Sequence, residues 1–437
     1  MLTRRRFTQL TAALSISSTI GYPHASAWGL MPKETEGVLT PEAAPVITAA
    51  EIAKLDHDRI LTAANKALTE KPITITAYHS DRTKAGPHDY FSQSDYWWPN
   101  PDTRDGLPYI RKDGLSNPDN FNDHRLALIH LSLLVPQLTA AFLLTKDLKY
   151  AHHAVEHLRA WFITPAMRMN PNLEYAQAVL GVSTGRGTGI IDTLHLVEVA
   201  RAIRHLKMTT ALAAADGDAI QQWFAEYTNW MMTSKNGKDE EASTNNHGTC
   251  WVAQVASFAA LTGNKEAMDL CRKRYREYLL PNQLAPDGSL PLELARTKPY
   301  SYSLFDLDIL SVVCHIASDE KENLWTYSIP ASASKAPKGP AVPAGVPTPN
   351  PATPIVYQKA VDFYFPFIAD KSKWPFPHDV EYFDDLPNRQ PSLLFAGIAY
   401  NEPRYIALWK KLSPDPKTAE IVRNFPIRQP LLWITPV

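Results

Sequence analysis

Apolar residues recur at helical spacing along most of this chain. Seven segments repeat an apolar residue every three or four positions, which is the pattern of a helix that buries one face. These segments span residues 49–70, 124–145, 150–162, 190–206, 219–232, 250–263 and 265–280. Few stretches show the alternation of apolar and polar residues that a half-buried strand requires. The pattern therefore predicts an all-α protein.

Helices of this length, joined in antiparallel pairs, can pack as a bundle, a solenoid or a closed α/α toroid. Their spacing along the sequence does not choose among the three. A chain of 437 residues is long enough for one or two domains.

One segment, 330–354, contains eight prolines and almost no large apolar residue. Such a composition predicts an extended surface segment. It either divides two domains or is an insertion within one. The helical pieces that follow it are too few to form a core alone, which favours one domain over 28–437 with an insertion.

The first 27 residues predict an export signal. An arginine run at 4–6 precedes a modest apolar stretch, and an Ala-Ser-Ala sequence at 25–27 fits signal cleavage. The pattern T-R-R-x-F resembles a twin-arginine leader, with an ordinary secretory signal as the alternative. Either signal predicts a periplasmic or secreted protein. No later run is long and uncharged enough to suggest a membrane span.

Composition favours no charged macromolecule as a general partner. With 44 basic and 45 acidic residues the net charge is −1, so nucleic acid and membrane surfaces are not indicated. Three cysteines cannot form a disulfide framework, and no two lie at metal-ligand spacing. His153 and His157 are one helical turn apart, but Glu156 is misplaced for a zinc-binding helix. We therefore predict no metal in the site and no cofactor, while a structural metal ion and the oligomeric state stay open.

The densest cluster of hydrogen-bonding side chains lies in STNNHGTCW, residues 243–251. Thr244 or Asn245 is suited to cap a helix that begins near residue 246, which places Asn246 and His247 in its first turn. There the backbone N–H groups and the helix dipole favour an anion. An amide and an imidazole at this point can hold a carboxylate. The alternative is structural, with Asn245 only capping and His247 packing against the next turn.

Further along, the segment 290–310 supplies Arg296, Tyr300 and Tyr302. Arginine is a bidentate partner for a carboxylate, and a tyrosine near cationic groups is expected to have a lowered pKa. Removing a proton α to a carboxylate requires donors that neutralise the carboxylate. A tyrosine can then take that proton and return one to the leaving oxygen.

Four motifs, in the same order, make this chain similar to the alginate lyase superfamily, particularly polysaccharide lyase families 5 and 38. They are N-N-H-x-x-x-W, L-E-x-A-R followed by Y-S, the glycine-rich segment 170–193 and SQSDYWWPNP at 92–101. The likeness covers roughly residues 50–320 and 356–410. It implies an incomplete α/α toroid of about six or seven helical hairpins. It also implies cleavage of β-1,4-linked uronic acid polymers by β-elimination, without a redox cofactor.

The resemblance also assigns roles to single residues. The family's neutralising asparagine and histidine fall on Asn246 and His247, and its arginine falls on Arg296. The catalytic tyrosine of relatives lies six or seven residues after the arginine, which matches Tyr302 better than Tyr300. We keep Tyr300 as the lesser candidate.

Candidate substrate-binding residues are aromatic, amide or basic side chains in or beside these motifs. They are Tyr96, Trp97, Trp98, Gln177, Arg186, Asn245 and Tyr300. One of the two tryptophans is equally consistent with packing onto the core. The glycines between 181 and 189 predict a loop close to ligand. Four basic residues could line a channel for a polyanion or could each be solvated: Arg82, Lys84, Arg104 and Arg111.

The predicted function is an exported polysaccharide lyase whose partner is an anionic polyuronate, polymannuronate (alginate) or glucuronan. These two polymers differ only in the configuration at C2, and the sequence does not choose between them. In both, the C5 hydrogen and the C4 oxygen lie on one side, so one tyrosine can serve as base and acid. In guluronate they lie on opposite sides, and His247 would be the base.

Two other classes remain open. A toroidal glycoside hydrolase acting on uronic oligosaccharides would need a carboxylate pair in the cavity, for which Asp306 and Asp308 are candidates, although alternate residues face different sides of a helix. A non-catalytic polysaccharide-binding protein would keep the aromatic and basic groups and release no product.

Overall fold

Long helices make up most of the chain in the computed structural model, which describes residues 45–437. The helices are α1 (Ala49–Leu55), α2 (His57–Ala67), α3 (Asp123–Thr145), α4 (Leu148–Phe162), α5 (Leu196–Lys207), α6 (Ala214–Thr233), α7 (Lys235–Glu241), α8 (Asn246–Thr262), α9 (Lys265–Arg274), α10 (Leu280–Gln283), α11 (Pro291–Leu294), α12 (Pro299–Ala317), α13 (Tyr357–Ala369), α14 (Pro391–Ala399), α15 (Pro403–Lys411), α16 (Ala419–Arg423) and α17 (Pro430–Ile434). The strands are β1 (Phe91–Gln93), β2 (Trp97–Trp98), β3 (Ile110–Arg111) and β4 (Tyr175–Ala178). The prediction of an all-α protein is confirmed.

The seven segments predicted from periodicity all contain helix. Segment 49–70 is divided at Asp56 into α1 and α2, and segment 190–206 begins as a 3-10 turn before α5 starts at Leu196. The leader predicted at 1–27 lies outside the described residues.

Five inner helices, α3, α5, α8, α12 and α14, pack on one another in chain order. Outer helices cover them: α2 and α4 lie on α3, α6 and α9 on α8, and α15 on α14. Nearly every residue of α8 and α12 is buried, as expected for a helix that is enclosed on all sides. This arrangement is the α/α toroid, with five inner helices in the described residues against the six or seven hairpins predicted.

Helix α3 is long and apolar enough to cross a membrane by length and composition. However, 67% of its most apolar window is buried inside the protein, where α2, α4 and α5 pack against it. Its apolar residues therefore contact protein, and α3 is a core helix.

The two ends of the proline-rich segment 330–354 lie next to each other. Ile329 and Ile355 form an antiparallel bridge, with N–H to oxygen distances of 3.0 and 2.8 Å. The ammonium of Lys359 donates to two carbonyls of the segment, at 2.8 and 3.0 Å. Most side chains of the segment are exposed. It is a surface loop with adjoining ends between α12 and α13.

Candidate active site

A cavity of about 320 Å³ lies where the first turns of α8 and α12 meet the chain that follows β1 and β4. Nine of the residues predicted for the site line it: Tyr96, Trp97, Gln177, Arg186, Asn245, Asn246, His247, Arg296 and Tyr302. The structure thus brings together residues that are up to 206 positions apart in sequence.

Helix α8 begins as the sequence predicts. The side-chain oxygen of Asn245 accepts a hydrogen bond from the backbone N–H of His247 at 3.4 Å, which caps the helix. Gly248 passes so close to the carbonyl of Ser243 that a Cβ there would collide with it. The run N-N-H-G therefore combines a cap, two cavity residues and the glycine that lets this turn approach the end of α7.

Asn246 is anchored by a carboxylate from α11. Glu293 accepts from the backbone N–H of Asn246 at 2.9 Å and from its side-chain amide at 2.7 Å, and both residues are buried. Burial raises the pKa of the Glu293 carboxyl, although the two Asn246 donors and the charge of Arg296 favour its ionised form. The amide of Asn246 is therefore held in one place.

His247 is oriented by a second carboxylate. Its Nδ1 lies 2.6 Å from Oε1 of Glu240, a buried residue of α7. Because a carboxylate only accepts, Nδ1 carries the proton, which leaves Nε2 as the free position of the ring. The imidazole is thus bonded to α7 through Glu240.

Arg296 reaches the cavity from the connection between α11 and α12. Its Nε and Nη2 donate to Asp113 at 3.2 and 2.8 Å. Burial opposes ionisation of Asp113, but the bond to Arg296 and its charge outweigh burial and hold the pKa of that carboxyl well below its usual range. The Nη1 side of the guanidinium is not used by Asp113. Arg296 can therefore donate to a second anion without releasing the first.

Tyr302 lies beside this arginine. The guanidinium is 4.1 Å from the centre of the Tyr302 ring, and the Tyr302 hydroxyl donates to the hydroxyl of Tyr96 at 2.8 Å. Burial and the neighbouring Tyr96 raise the pKa of Tyr302 well above its ordinary value, against the opposing charge of Arg296. The lowered pKa predicted from sequence is wrong, because desolvation outweighs the cation. Tyr302 is therefore a protonated phenol in this environment.

Arg186, Gln177 and Trp97 join the two loops over the cavity. Arg186 donates to the Gln177 carbonyl at 3.0 Å and to Ser94 at 2.7 Å, and its guanidinium lies 5.7 Å from the Trp97 ring centre. Gln177 has a φ of 48°, a region that is uncommon for residues other than glycine and is often found at functional sites. These contacts fix the loops relative to each other.

The glycines of this segment have a different role from the one predicted. A Cβ at Gly185 would collide with the carbonyl of Glu174, and one at Gly189 would lie 2.7 Å from the carbonyl of Ala176. The segment therefore packs against β4 and the residue before it. The close approach that these glycines permit is to protein backbone.

Tyr300 does not line the cavity, contrary to its assignment as a substrate-binding residue. It is fully buried, its hydroxyl donates to the carbonyl of Phe367 at 3.1 Å, and its ring contacts Trp374 at 4.9 Å. Since α12 starts at Pro299, positions 300 and 302 lie on nearly opposite sides of one helix. Tyr302 therefore faces the cavity and Tyr300 faces the core.

Trp98 also lies outside the cavity lining. Its indole N–H donates to the carbonyl of Leu115 at 3.0 Å, and the ammonium of Lys112 lies 4.9 Å from its ring. Successive side chains of a strand point to opposite faces, so only Trp97 of this pair reaches the cavity. Of the four basic residues proposed for a channel, Arg111 alone is in the lining.

Sequence reasoning missed a network of charges at one end of the cavity. Arg125 contacts Asp95 at 2.6 Å and Asp192 at 3.2 Å, and Arg423 of α16 pairs with Asp95 and Glu420. Both cavity carboxylates are thus bound by arginine. No local pattern marks Arg423, which lies more than a hundred residues beyond α12.

The carboxylates considered for a glycosidase have structural positions. Asp308 accepts from the backbone N–H of Ser392 at 3.1 Å and caps α14, and Asp306 is buried outside the cavity lining. Within residues 45–437, no group of three or more histidine, cysteine or acidic side chains is arranged to hold a metal ion. The three cysteines are free and buried.

An α/α toroid whose cavity gathers an asparagine, a histidine, an arginine and a tyrosine is the arrangement that the sequence led us to expect of a polysaccharide lyase. The family model described as alginate lyase matches residues 74–335, and the chain belongs to this family. An alginate lyase from Bacteroides ovatus matches with a TM-score of 0.72 and 27% identity, over 90% of this chain and 98% of that chain.

A more distant structure shows the same fold. A variant of alginate lyase A1-III, complexed with a tetrasaccharide, matches with a TM-score of 0.51 and 15% identity over 90% of this chain and 98% of that chain. A crystal structure of alginate lyase A1-III comes from Sphingomonas species A1. No curated protein sequence matches this chain.

Proposed function

We propose that this protein is an exported lyase that cleaves β-1,4-linked polyuronates, polymannuronate (alginate) or glucuronan, by β-elimination. The products would carry 4,5-unsaturated uronate ends. The observation that carries the proposal is that Asn246, His247, Arg296 and Tyr302 line one cavity. The alginate lyases of known structure that match this chain support it.

The first task of the site is to neutralise the uronate carboxylate at the cleaved unit. The Asn246 amide, the free Nη1 side of Arg296 and the His247 ring are the available donors. His247 can donate to the substrate only when both ring nitrogens are protonated, and the Glu240 carboxylate stabilises that cation. Donors placed where negative charge develops stabilise the enolate-like intermediate more than the ground state.

The second task is proton transfer at C5 and C4. The ionised oxygen of Tyr302 takes the C5 proton, the released electron pair forms the C4=C5 double bond, and the C4–O bond breaks. The new phenol proton then passes to the leaving oxygen. Because burial raises the pKa of Tyr302, its ionised form depends on Arg296 and on Tyr96, whose hydroxyl can reverse its hydrogen bond and donate.

On a guluronate unit two different residues would act as base and acid. The C5 hydrogen then lies opposite the C4 oxygen, so neutral His247 would be the base through Nε2 and Tyr302 the acid. Mannuronate and glucuronate need Tyr302 alone. The configuration of the responding polymer therefore identifies the base.

The test is ultraviolet absorbance during incubation with polymannuronate, polyguluronate, glucuronan and hyaluronan, beside a reducing-end assay. We expect absorbance to rise with one polymer. For Tyr302→Phe the rate of this rise should be about 10²- to 10⁴-fold lower, the usual range for the loss of a general acid and base. Tyr300→Phe is the matched control and keeps its activity. New reducing ends without absorbance would mean hydrolysis, and binding without either signal would mean a non-catalytic protein.

Export is the part of the proposal that depends on sequence alone. The basic run at 4–6 and the small residues at 25–27 support it. Expression of the full chain in a bacterium should give periplasmic or secreted protein beginning near residue 28. Changing Arg4 and Arg5 to lysine should block export if the leader is of the twin-arginine type, whereas unchanged export would indicate an ordinary secretory signal.

A further inference from the structure

Two buried carboxyl groups lie behind Asn246, away from the cavity lining. Glu293 of α11 and Asp306 of α12 are 1% and 0% exposed. Their surroundings differ: Glu293 accepts the two hydrogen bonds from Asn246, while neither oxygen of Asp306 has a hydrogen-bond partner among the described residues. The reaction assigned above uses neither group.

We propose that Glu293 is a positioning residue that fixes the Asn246 amide for the substrate carboxylate, and that Asp306 carries the proton of this acidic pair. The inference rests on the proposed function. It assigns each carboxyl one protonation state and one task.

The contact geometry determines how the amide is placed. An asparagine amide can turn by 180° and exchange its oxygen and nitrogen. A carboxylate accepts and does not donate, so the atom of Asn246 at 2.7 Å from Glu293 must be nitrogen. One of its two N–H bonds is used by Glu293, and the second stays available as a donor. With its nitrogen held, Asn246 cannot turn its oxygen into the place of that donor.

The backbone contact adds to this effect. The other Glu293 oxygen accepts from the first N–H of α8, where the helix dipole favours an anion. One carboxylate therefore holds both the side chain of Asn246 and the helix turn that carries it. The charge of Arg296 also favours the ionised form of Glu293. The same positive charge limits the repulsion between Glu293 and an anionic substrate.

Asp306 is the group that must stay neutral. It faces Glu293 and the first turns of α8, at Thr249 and Cys250, and within residues 45–437 it forms no salt bridge with a cation. Two neighbouring buried carboxyls cannot both ionise at low cost. Glu293 accepts two hydrogen bonds from Asn246. The Thr249 hydroxyl beside Asp306 donates to Gln283 and lowers the pKa of Asp306 less than burial and Glu293 raise it, so the proton stays on Asp306.

The first experiment compares Glu293→Gln with Asp306→Asn, two changes of equal size. Glutamine cannot accept from both Asn246 donors, so we expect kcat to fall about 10²-fold with a small change in KM, the size of effect seen when one donor to a developing oxyanion is lost. Asp306→Asn replaces one neutral group by another, and kcat should stay within about threefold of wild type. A wild-type rate for folded Glu293→Gln, or an equal loss in Asp306→Asn, would overturn the proposal.

The second experiment asks whether Glu293 acts through Asn246. If it does, adding Glu293→Gln to Asn246→Ala lowers kcat no further, because the amide to be positioned is gone. A merely structural role would instead multiply the two losses. If Glu293→Gln does not fold, Glu293→Asp keeps the charge, breaks the paired contact and should lower kcat in the same way, and an unchanged kcat would again overturn the proposal.

The activity of the wild-type protein distinguishes an error in the proposed function from an error in the role of Glu293. If wild-type protein forms no unsaturated product from any polymer, the proposed function falls and the role of Glu293 falls with it. If wild type forms that product and the Glu293 variants match it, only the positioning role is wrong.

Discussion

Replacing Glu240 by glutamine tests whether the orientation of His247 contributes to turnover. The change keeps the size of a buried side chain whose Oε1 lies 2.6 Å from Nδ1 of His247, but it removes the negative charge. A hydrogen bond to a charged group contributes about 1.5–3 kcal/mol, against about 0.5–1.5 kcal/mol for a neutral one. The difference, about 1–2 kcal/mol, corresponds to a loss of roughly 5- to 30-fold in kcat/KM.

The assay is the initial rate of absorbance increase with the responding polymer, measured from pH 5 to 9 together with the melting temperature. Asp239→Asn is the matched control, because Asp239 is the exposed neighbour on α7 and pairs with the likewise exposed Lys235. We expect the control to be unchanged and Glu240→Gln to lose activity without a large fall in melting temperature. A folded Glu240→Gln enzyme with wild-type kcat/KM across that pH range would refute the argued role of this contact.

Three further predictions follow from the packing around the site. Trp97→Ala should raise KM several-fold, because Trp97 lines the cavity, whereas Trp98→Ala should leave KM unchanged in the same assay. Arg423→Gln should lower the free energy of unfolding in denaturant by about 2 kcal/mol, since it removes one of the two arginines that pair with buried Asp95; a loss below about 0.5 kcal/mol would contradict this. Burial raises the pKa of Asp308 to about 7, whereas its value in the unfolded chain is near 4. Between these two values the folded state binds one proton more than the unfolded state. The contribution of Asp308 to stability therefore falls as pH rises from about 4 to 7. Asp308→Asn should remove that fall, and parallel pH profiles of the two melting temperatures would contradict it.

The outer helices were predictable because each buries one face, which leaves a clear period in the sequence. Helix α8 is equally enclosed, but Asn245 marks its start in the sequence. Helix α12 was not predicted, because its apolar residues show no single stripe and no capping side chain marks its start. The choice between Tyr300 and Tyr302 follows from where this helix starts, at Pro299.

The charges of the site were harder to predict than its apolar core. Glu240 lies in the run KNGKDEE, which looks like a solvated helix in sequence, yet it is buried beside His247. The raised pKa of Tyr302 depends on desolvation, which sequence spacing does not report. Residue types near the reaction could be predicted from motifs, whereas their protonation depended on neighbours that only the fold supplies.

The contribution of α16 to the cavity limits how this protein can be divided or recombined. The region matched by the family ends at residue 335 and contains all four proposed catalytic residues, but Arg423 reaches back to pair with Asp95, and Asp379 accepts the first N–H groups of α12. A chimaera in which the sequence after α12 comes from a relative would therefore replace Arg423 in the cavity wall. It would also replace Asp379, which binds the first N–H groups of α12. The unit that can be exchanged is therefore the whole α/α toroid. The contiguous region that contains all four proposed catalytic residues lacks contacts that the site needs.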